Sequence, residues 1–224
     1  MLDKHGKATR LLKAPHLPRR GFEQAQPISE LQDGDSFAEL TFSQIDLSGS
    51  SASHISFDQL LCQQISLSNV QLKQSQVLDS RFSGCDLANA AWNEASFCRV
   101  ELLDCHLTGF SIIESLVQDV LFKDCQCVFA QFRFARIRSV LFSHCDLHEA
   151  DFQGASLKDV VFDDCNLTGV ELSGATLSNV DLRSSKIDNM RAGPRELQGA
   201  IIEPQQALAF VRGMGIEVKL PHED

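Results

Sequence analysis

Tyrosine is absent from this chain of 224 residues, tryptophan occurs once, and fifteen phenylalanines supply nearly all of the aromatic content. Also missing is any apolar run approaching the roughly 18 residues that a membrane-spanning helix needs, and no hydrophobic stretch follows the basic N-terminal segment. Neither a signal peptide nor an anchor is therefore expected. The chain is read as cytoplasmic, with its eight cysteines held as thiols. No glycine-rich loop is placed to follow a strand and open a helix, which leaves nucleotide binding without support. Positive charge is scarce too: 20 Lys and Arg stand against 30 Asp and Glu, for a net charge of −10. The acid is concentrated in residues 35–190, whose balance is −11, against +2 for residues 1–34 and −1 for residues 191–224. A body of that sign repels nucleic acid and suits proteins that hold it.

What is present is a period. From Phe37 to Ile187 every fifth residue is apolar, thirty-one in succession without a slip, and ten of the fifteen phenylalanines fall in this register. Two places earlier lies a smaller class, as in Cys85, Ala90, Ala95, Val100 and Cys105, and the remaining positions are mainly polar. A period of five fits neither a helix of 3.6 residues per turn nor a strand of two, so ordinary amphipathic elements cannot keep one side dry. A solenoid can. Cys85, Cys105, Cys125, Cys145 and Cys165 stand twenty apart, as do Val100, Val120, Val140, Val160 and Val180, which sets the coil at twenty residues. With rungs about 4.8 Å apart, nearly eight coils make a rod of roughly 35–40 Å.

Tracts such as Cys145-Asp146-Leu147-His148-Glu149, Ala150-Asp151-Phe152-Gln153-Gly154 and Cys165-Asn166-Leu167-Thr168-Gly169 resemble the pentapeptide-repeat family. The resemblance covers about residues 35–190. It implies an all-β solenoid, a right-handed quadrilateral β-helix in which four pentapeptides close one square coil.

Both ends of such a rod need covers. Residues 1–34, with Pro15, Pro18 and Pro27, are expected as an N-terminal arm or loose cap. Residues 191–224 are expected as a capping and dimerisation module: the spacing fails near Met190, a helix is predicted from Pro204 to Gly213, and Ile216-Glu217-Val218 reads as a small strand. Leu208, Phe210, Val211, Met214, Ile216 and Val218 are its candidate cap or dimer residues. The stretch Leu197-Gln198-Gly199-Ala200-Ile201-Ile202 through Gln206-Ala207-Leu208 to Met214-Gly215-Ile216-Glu217-Val218 resembles the C-terminal module of the pentapeptide-repeat proteins that protect DNA gyrase, of the Qnr, MfpA and microcin-immunity type. That resemblance implies end-to-end pairing of two rods into a homodimer.

Chemistry finds little footing. No cysteine pair has zinc-site spacing, and seven of the eight fall at inward positions, with Cys98 the outward exception. His106, His144 and His148 stand in polar tracts without a positioned nucleophile. No catalytic residue, metal or cofactor is expected. Outward acids form two columns on neighbouring walls, Asp79, Asp119 and Asp159 in one, and Asp104, Asp124 and Asp164 in the other. They suit either a contact with a basic partner or a solvated face that keeps rods apart. Leu121, Leu141 and Val161 make an apolar stripe beside them, with Leu103 and Leu116 near it and Phe129 and Phe134 outward on the other walls.

The resemblance and the charge together imply a non-catalytic acidic rod that binds a protein, acting as a DNA mimic on a type II topoisomerase, DNA gyrase or topoisomerase IV. It would modulate that enzyme or protect it from a toxin or drug. The alternative is a scaffold for a regulatory or signalling partner held by the Leu121, Leu141 and Val161 wall. Neither reading involves direct binding of nucleic acid or membrane.

Overall fold

The computed structural model describes residues 12–18, 21–26, 28–213 and 215–219. The chain winds as a right-handed quadrilateral β-helix of about 9 turns, followed by one short helix, Pro204–Gly213. Every strand pairs in parallel with the strand one coil away. The pairing register makes the twenty-residue coil explicit: Leu116 faces Arg136, Arg136 faces Ser156, and Val120, Val140 and Val160 stand in line. The sequence expectation of nearly eight coils falls short by an irregular rung at each end. Glu23–Gln24 pair with Leu40–Thr41, and Ala200–Ile201 with Val180–Asp181. Backbone pairing needs no fivefold side-chain pattern, so the ladder runs past the register that announced it.

The core is one column of apolar side chains. Phe122 stacks on Phe142 at 4.6 Å between ring centroids, and Phe142 on Phe162 at 5.0 Å. A second stack, Phe132 on Phe152 at 4.5 Å, meets the first edge to face. Nearer the N-terminus Trp92 is sandwiched between Phe57 and Phe97. Such pairs add to simple area burial.

The small inward position does more than leave room. Each laddered cysteine thiol sits within hydrogen-bond reach of a carbonyl on the rung before it: Cys105 on Phe82 at 3.6 Å, Cys125 on Leu102 at 3.3 Å, Cys145 on Phe122 at 3.4 Å. Ser115 and Ser185 place hydroxyls in the same slot, donating to Trp92 and Phe162. A small side chain with a donor therefore satisfies a carbonyl that a larger apolar one would leave wanting.

Two residues after each large inward side chain the backbone turns a corner in the left-handed region, from Glu39 at φ 56° through His144 at φ 54° to Asn189 at φ 54°. That conformation places Cβ against the following carbonyl and favours Gly, Asn and Asp. The acidic residues of both sequence columns occupy this position. They stand at corners, and their abundance has a backbone cause before it has any other.

At the C-terminal end the helix closes the rod with a polar residue. The buried Gln206 amide donates to the carbonyls of Leu182 and Ser185, each at 2.8 Å, while its oxygen accepts from the Glu203 amide at 2.8 Å. Phe210, one turn on, packs against the core, whereas Leu208 is 43% exposed. The expected strand over Ile216–Val218 does not form: Ile216 and Val218 lie exposed, with no neighbouring strand among the described residues to pair with. Met214 lies outside the described residues. At the other end Leu31 and Ala25 are buried in the core, and Phe22, Leu17 and Leu12 are half-buried.

Candidate interaction surfaces

Because twenty residues close a coil, each outward position becomes a vertical column, and four corners separate four walls. The column of Asp79, Arg99, Asp119, Ser139 and Asp159 is largely occupied with itself. Arg99 donates through Nε to Asp79 Oδ1 at 2.6 Å and through Nη2 to Oδ2 at 2.7 Å. The backbone amide of His16, from the N-terminal segment, adds a third bond to Asp79 at 2.8 Å. The Arg99 guanidinium holds the Asp79 carboxyl below the usual carboxylate range, against the opposing effect of burial. Asp119 accepts from the Gln118 amide at 3.2 Å, and Asp159 from Asn179 at 2.7 Å. Asp79 and Asp119 are 5% and 7% exposed, which corrects the expectation that they point outward. An arginine one rung away and an adjacent glutamine draw these short side chains back along the rod. Nearby, burial and the proximity of Asp79 push the Asp58 carboxyl up.

The other acidic column is open. Asp104, Asp124 and Asp164 are exposed, with His144 taking the rung between the last two. His144 lies 3.8 Å from Asp124 through Nδ1 and 3.8 Å from Asp164 through Nε2. Successive carboxylates are therefore spaced by one or two rungs, about 5 to 10 Å. This corner borders the wall on which Leu121, Leu141 and Val161 sit half-buried on adjacent strands, with Leu103 on the same wall. The apolar stripe thus lies on the wall between the two acidic corners, two residues past Asp119 and Asp159 and three before Asp124 and Asp164, with the open carboxylates on one side of it and the paired ones on the other.

Phe129 and Phe134 stand apart from either group, at 56% and 52% exposure. Both hold left-handed corners, φ 59° and 55°, and every other such non-glycine corner among the described residues carries a polar side chain. Phe134 lies against Gly154 on the next rung, where an added Cβ would come 2.5 Å from its Cδ1. Cys98 is half-buried, while the other seven cysteines are buried. Burial and the neighbouring Cys85 push the Cys62 thiol far up, and Cys145 together with burial does the same to Cys127. Among the described residues no cluster of three or more His, Cys, Asp or Glu is placed to hold a metal ion, and no helix is long and apolar enough to cross a membrane.

A square solenoid with a filled axis and outward side chains ranked in columns defines the structural class. The chain belongs to the pentapeptide-repeat family: the family model described as the pentapeptide repeat region matches residues 75–152 and 135–203. No curated protein sequence matches it. Among solved structures, full-length QnrB1, a plasmid-mediated fluoroquinolone resistance protein, aligns at 18% identity and a TM-score of 0.41 over 84% of this chain and 98% of its own. HetL from the cyanobacterium Nostoc sp. strain PCC 7120, a pentapeptide repeat protein involved in heterocyst differentiation regulation, aligns at 19% identity and a TM-score of 0.30 over 76% of this chain and 90% of its own.

Proposed function

We propose that the chain is a non-catalytic rod that binds a basic protein surface along the corner of Asp104, Asp124 and Asp164. The DNA-binding surface of a type II topoisomerase is the first partner to test. One observation carries the reading: exposed carboxylates stacked at rung spacing on a stiff backbone, where Lys and Arg that normally meet phosphates can meet them instead. The contribution is electrostatic and involves no bond made or broken. Exposed Leu208, Ile216 and Val218 at the C-terminal end support pairing of two rods into a homodimer.

The test is a gyrase supercoiling assay at low and raised salt, with the protein added in increasing amounts. Inhibition, or relief of drug-induced cleavage, that weakens as salt rises is expected. The Asp104→Asn, Asp124→Asn, Asp164→Asn triple variant should lose it while keeping the fold, because asparagine tolerates the left-handed corner. No effect on supercoiling or cleavage at either salt would overturn the topoisomerase reading. A second reading, a scaffold for a regulatory protein, rests on the half-exposed Leu121, Leu141 and Val161 stripe. Changing these three to serine should abolish such binding and spare any effect on supercoiling.

A further inference from the structure

The wall between the corner of Phe134 and the corner of Ser139 has a character opposite to the rest of the molecule. Its outward columns carry Arg136, Arg138 and Lys158, all exposed, and none of the three forms an ion pair with a described carboxylate. Arg138 and Lys158 are register partners on adjacent strands, so their charges stack one rung apart. On a body whose balance over residues 35–190 is −11, three unneutralised cations side by side are an exception.

The same face is apolar at its edge. Leu116, register partner of Arg136, is 50% exposed, and Phe134 at the corner is 52% exposed. Between them and the lower rungs runs an open groove of about 480 Å³, floored by Ala95 and Ser96, with Glu94 and Glu114 on its lower rungs and Leu116, Phe134 and Arg136 at its upper end, so the positive charge of this face is confined to the rungs of Arg136, Arg138 and Lys158; Glu94 is paired with Lys73. The corner would be easier to build with a polar residue, as it is elsewhere. Phe134 is instead accommodated by Gly154 above it, which lets the ring lie along the rod, and the Arg133 guanidinium stands 5.8 Å from the ring centroid. A strained, exposed aromatic beside free cations is the composition of a protein contact.

We propose that this face docks an acidic protein segment bearing an apolar anchor. The anchor would seat against Leu116 and Phe134, and its carboxylates would meet Arg136, Arg138 and Lys158. Charge complementarity selects the occupant. A long nucleic acid would run off the patch onto the acidic remainder of the rod, whereas a short acidic segment ends where the cations end. The corners alternate around the square, so Phe134 lies diagonally across from Asp124. The two surfaces therefore carry opposite charge on opposite sides, and this one stands or falls independently of the acidic corner.

Fluorescence anisotropy tests it with the full chain and three labelled probes: a short peptide of Asp and Glu with two Phe, the same peptide with Asn and Gln for the acids, and a single-stranded oligonucleotide. The acidic peptide should bind, and weaken between about 50 and 300 mM salt. Phe134→Asn, and separately the Arg136→Gln, Arg138→Gln double variant, should each weaken it by about tenfold or more, while Asp124→Asn leaves it unchanged. Far-UV circular dichroism of each variant checks that the rod is intact. Failure of the acidic peptide to bind, equal binding by the neutral peptide, insensitivity to the substitutions, or tighter binding of the oligonucleotide would each overturn the proposal.

Discussion

Replacing Phe142 by alanine isolates what the stacked core contributes. Its ring is fully buried, sandwiched between Phe122 and Phe162 and meeting Phe132 and Phe152 at their edges. A phenylalanine side chain removes about 200 Å² from water, worth about 5 kcal/mol at 25 cal/mol/Å². A compact unfolded chain already hides part of that area, which lowers the figure to about 3–4 kcal/mol, and the cavity left between two rings restores some of it. The expected loss is about 4 kcal/mol. Phe142→Leu keeps most of the volume and should cost about 1–1.5 kcal/mol. Phe37→Ala, at a half-buried position near the end of the rod, should cost about 1–2 kcal/mol. Urea denaturation read by Trp92 fluorescence and far-UV circular dichroism measures all three, and Phe142→Ala should move the midpoint by roughly 1.5 M. Trp92 sits in its own aromatic stack on earlier coils, so coincident shifts of the two signals would show that the rungs melt together. A loss at Phe142 below about 1.5 kcal/mol, or no larger than that at Phe37, would refute the view that continuous stacking stabilises the rod.

Three further outcomes follow from the geometry. The depressed Asp79 carboxyl contributes stability that is present above its unfolded value near 3.8 and is lost as pH falls through the lower folded value. Asp79→Asn should therefore destabilise by about 1–2 kcal/mol at neutral pH, with the gap to the parent closing in thermal melts below that range. Native protein should release one equivalent of thiol to Ellman's reagent, from Cys98, and the other seven cysteines should react only after denaturation; fast reaction of more than one would contradict the packed ladder. Gly154→Ala, forced to φ 66° and against the Phe134 ring, should cost about 1–2 kcal/mol in urea denaturation, and Phe134→Asn in the same chain should restore part of it.

The path of the chain was legible because the pattern is redundant: a fivefold apolar register and twenty-residue columns of Cys and Val each report the coil independently. Exposure at the corners was not legible. Asp79 and Asp124 occupy equivalent positions, yet an arginine one rung on and the amide of His16 draw in the first, while the second faces only a histidine and a lysine. Column neighbours decide, and a rule about position alone cannot separate the two. Gln206 carries no signal in the sequence, where a glutamine in a short helix reads as solvated surface; only the open carbonyls at the last coil give it a task. Phe129 and Phe134 did announce themselves, as large apolar residues where the register asks for polar ones.

The left-handed bend after every large core residue also governs how this architecture can change length. A residue gained or lost within a wall and carried through the register would turn the next phenylalanine toward solvent and its polar neighbour inward. Among the regular coils a change of length therefore keeps the core filled when it comes in whole fives and keeps the columns aligned when it comes in twenties, so this part of the molecule inherits its size in steps.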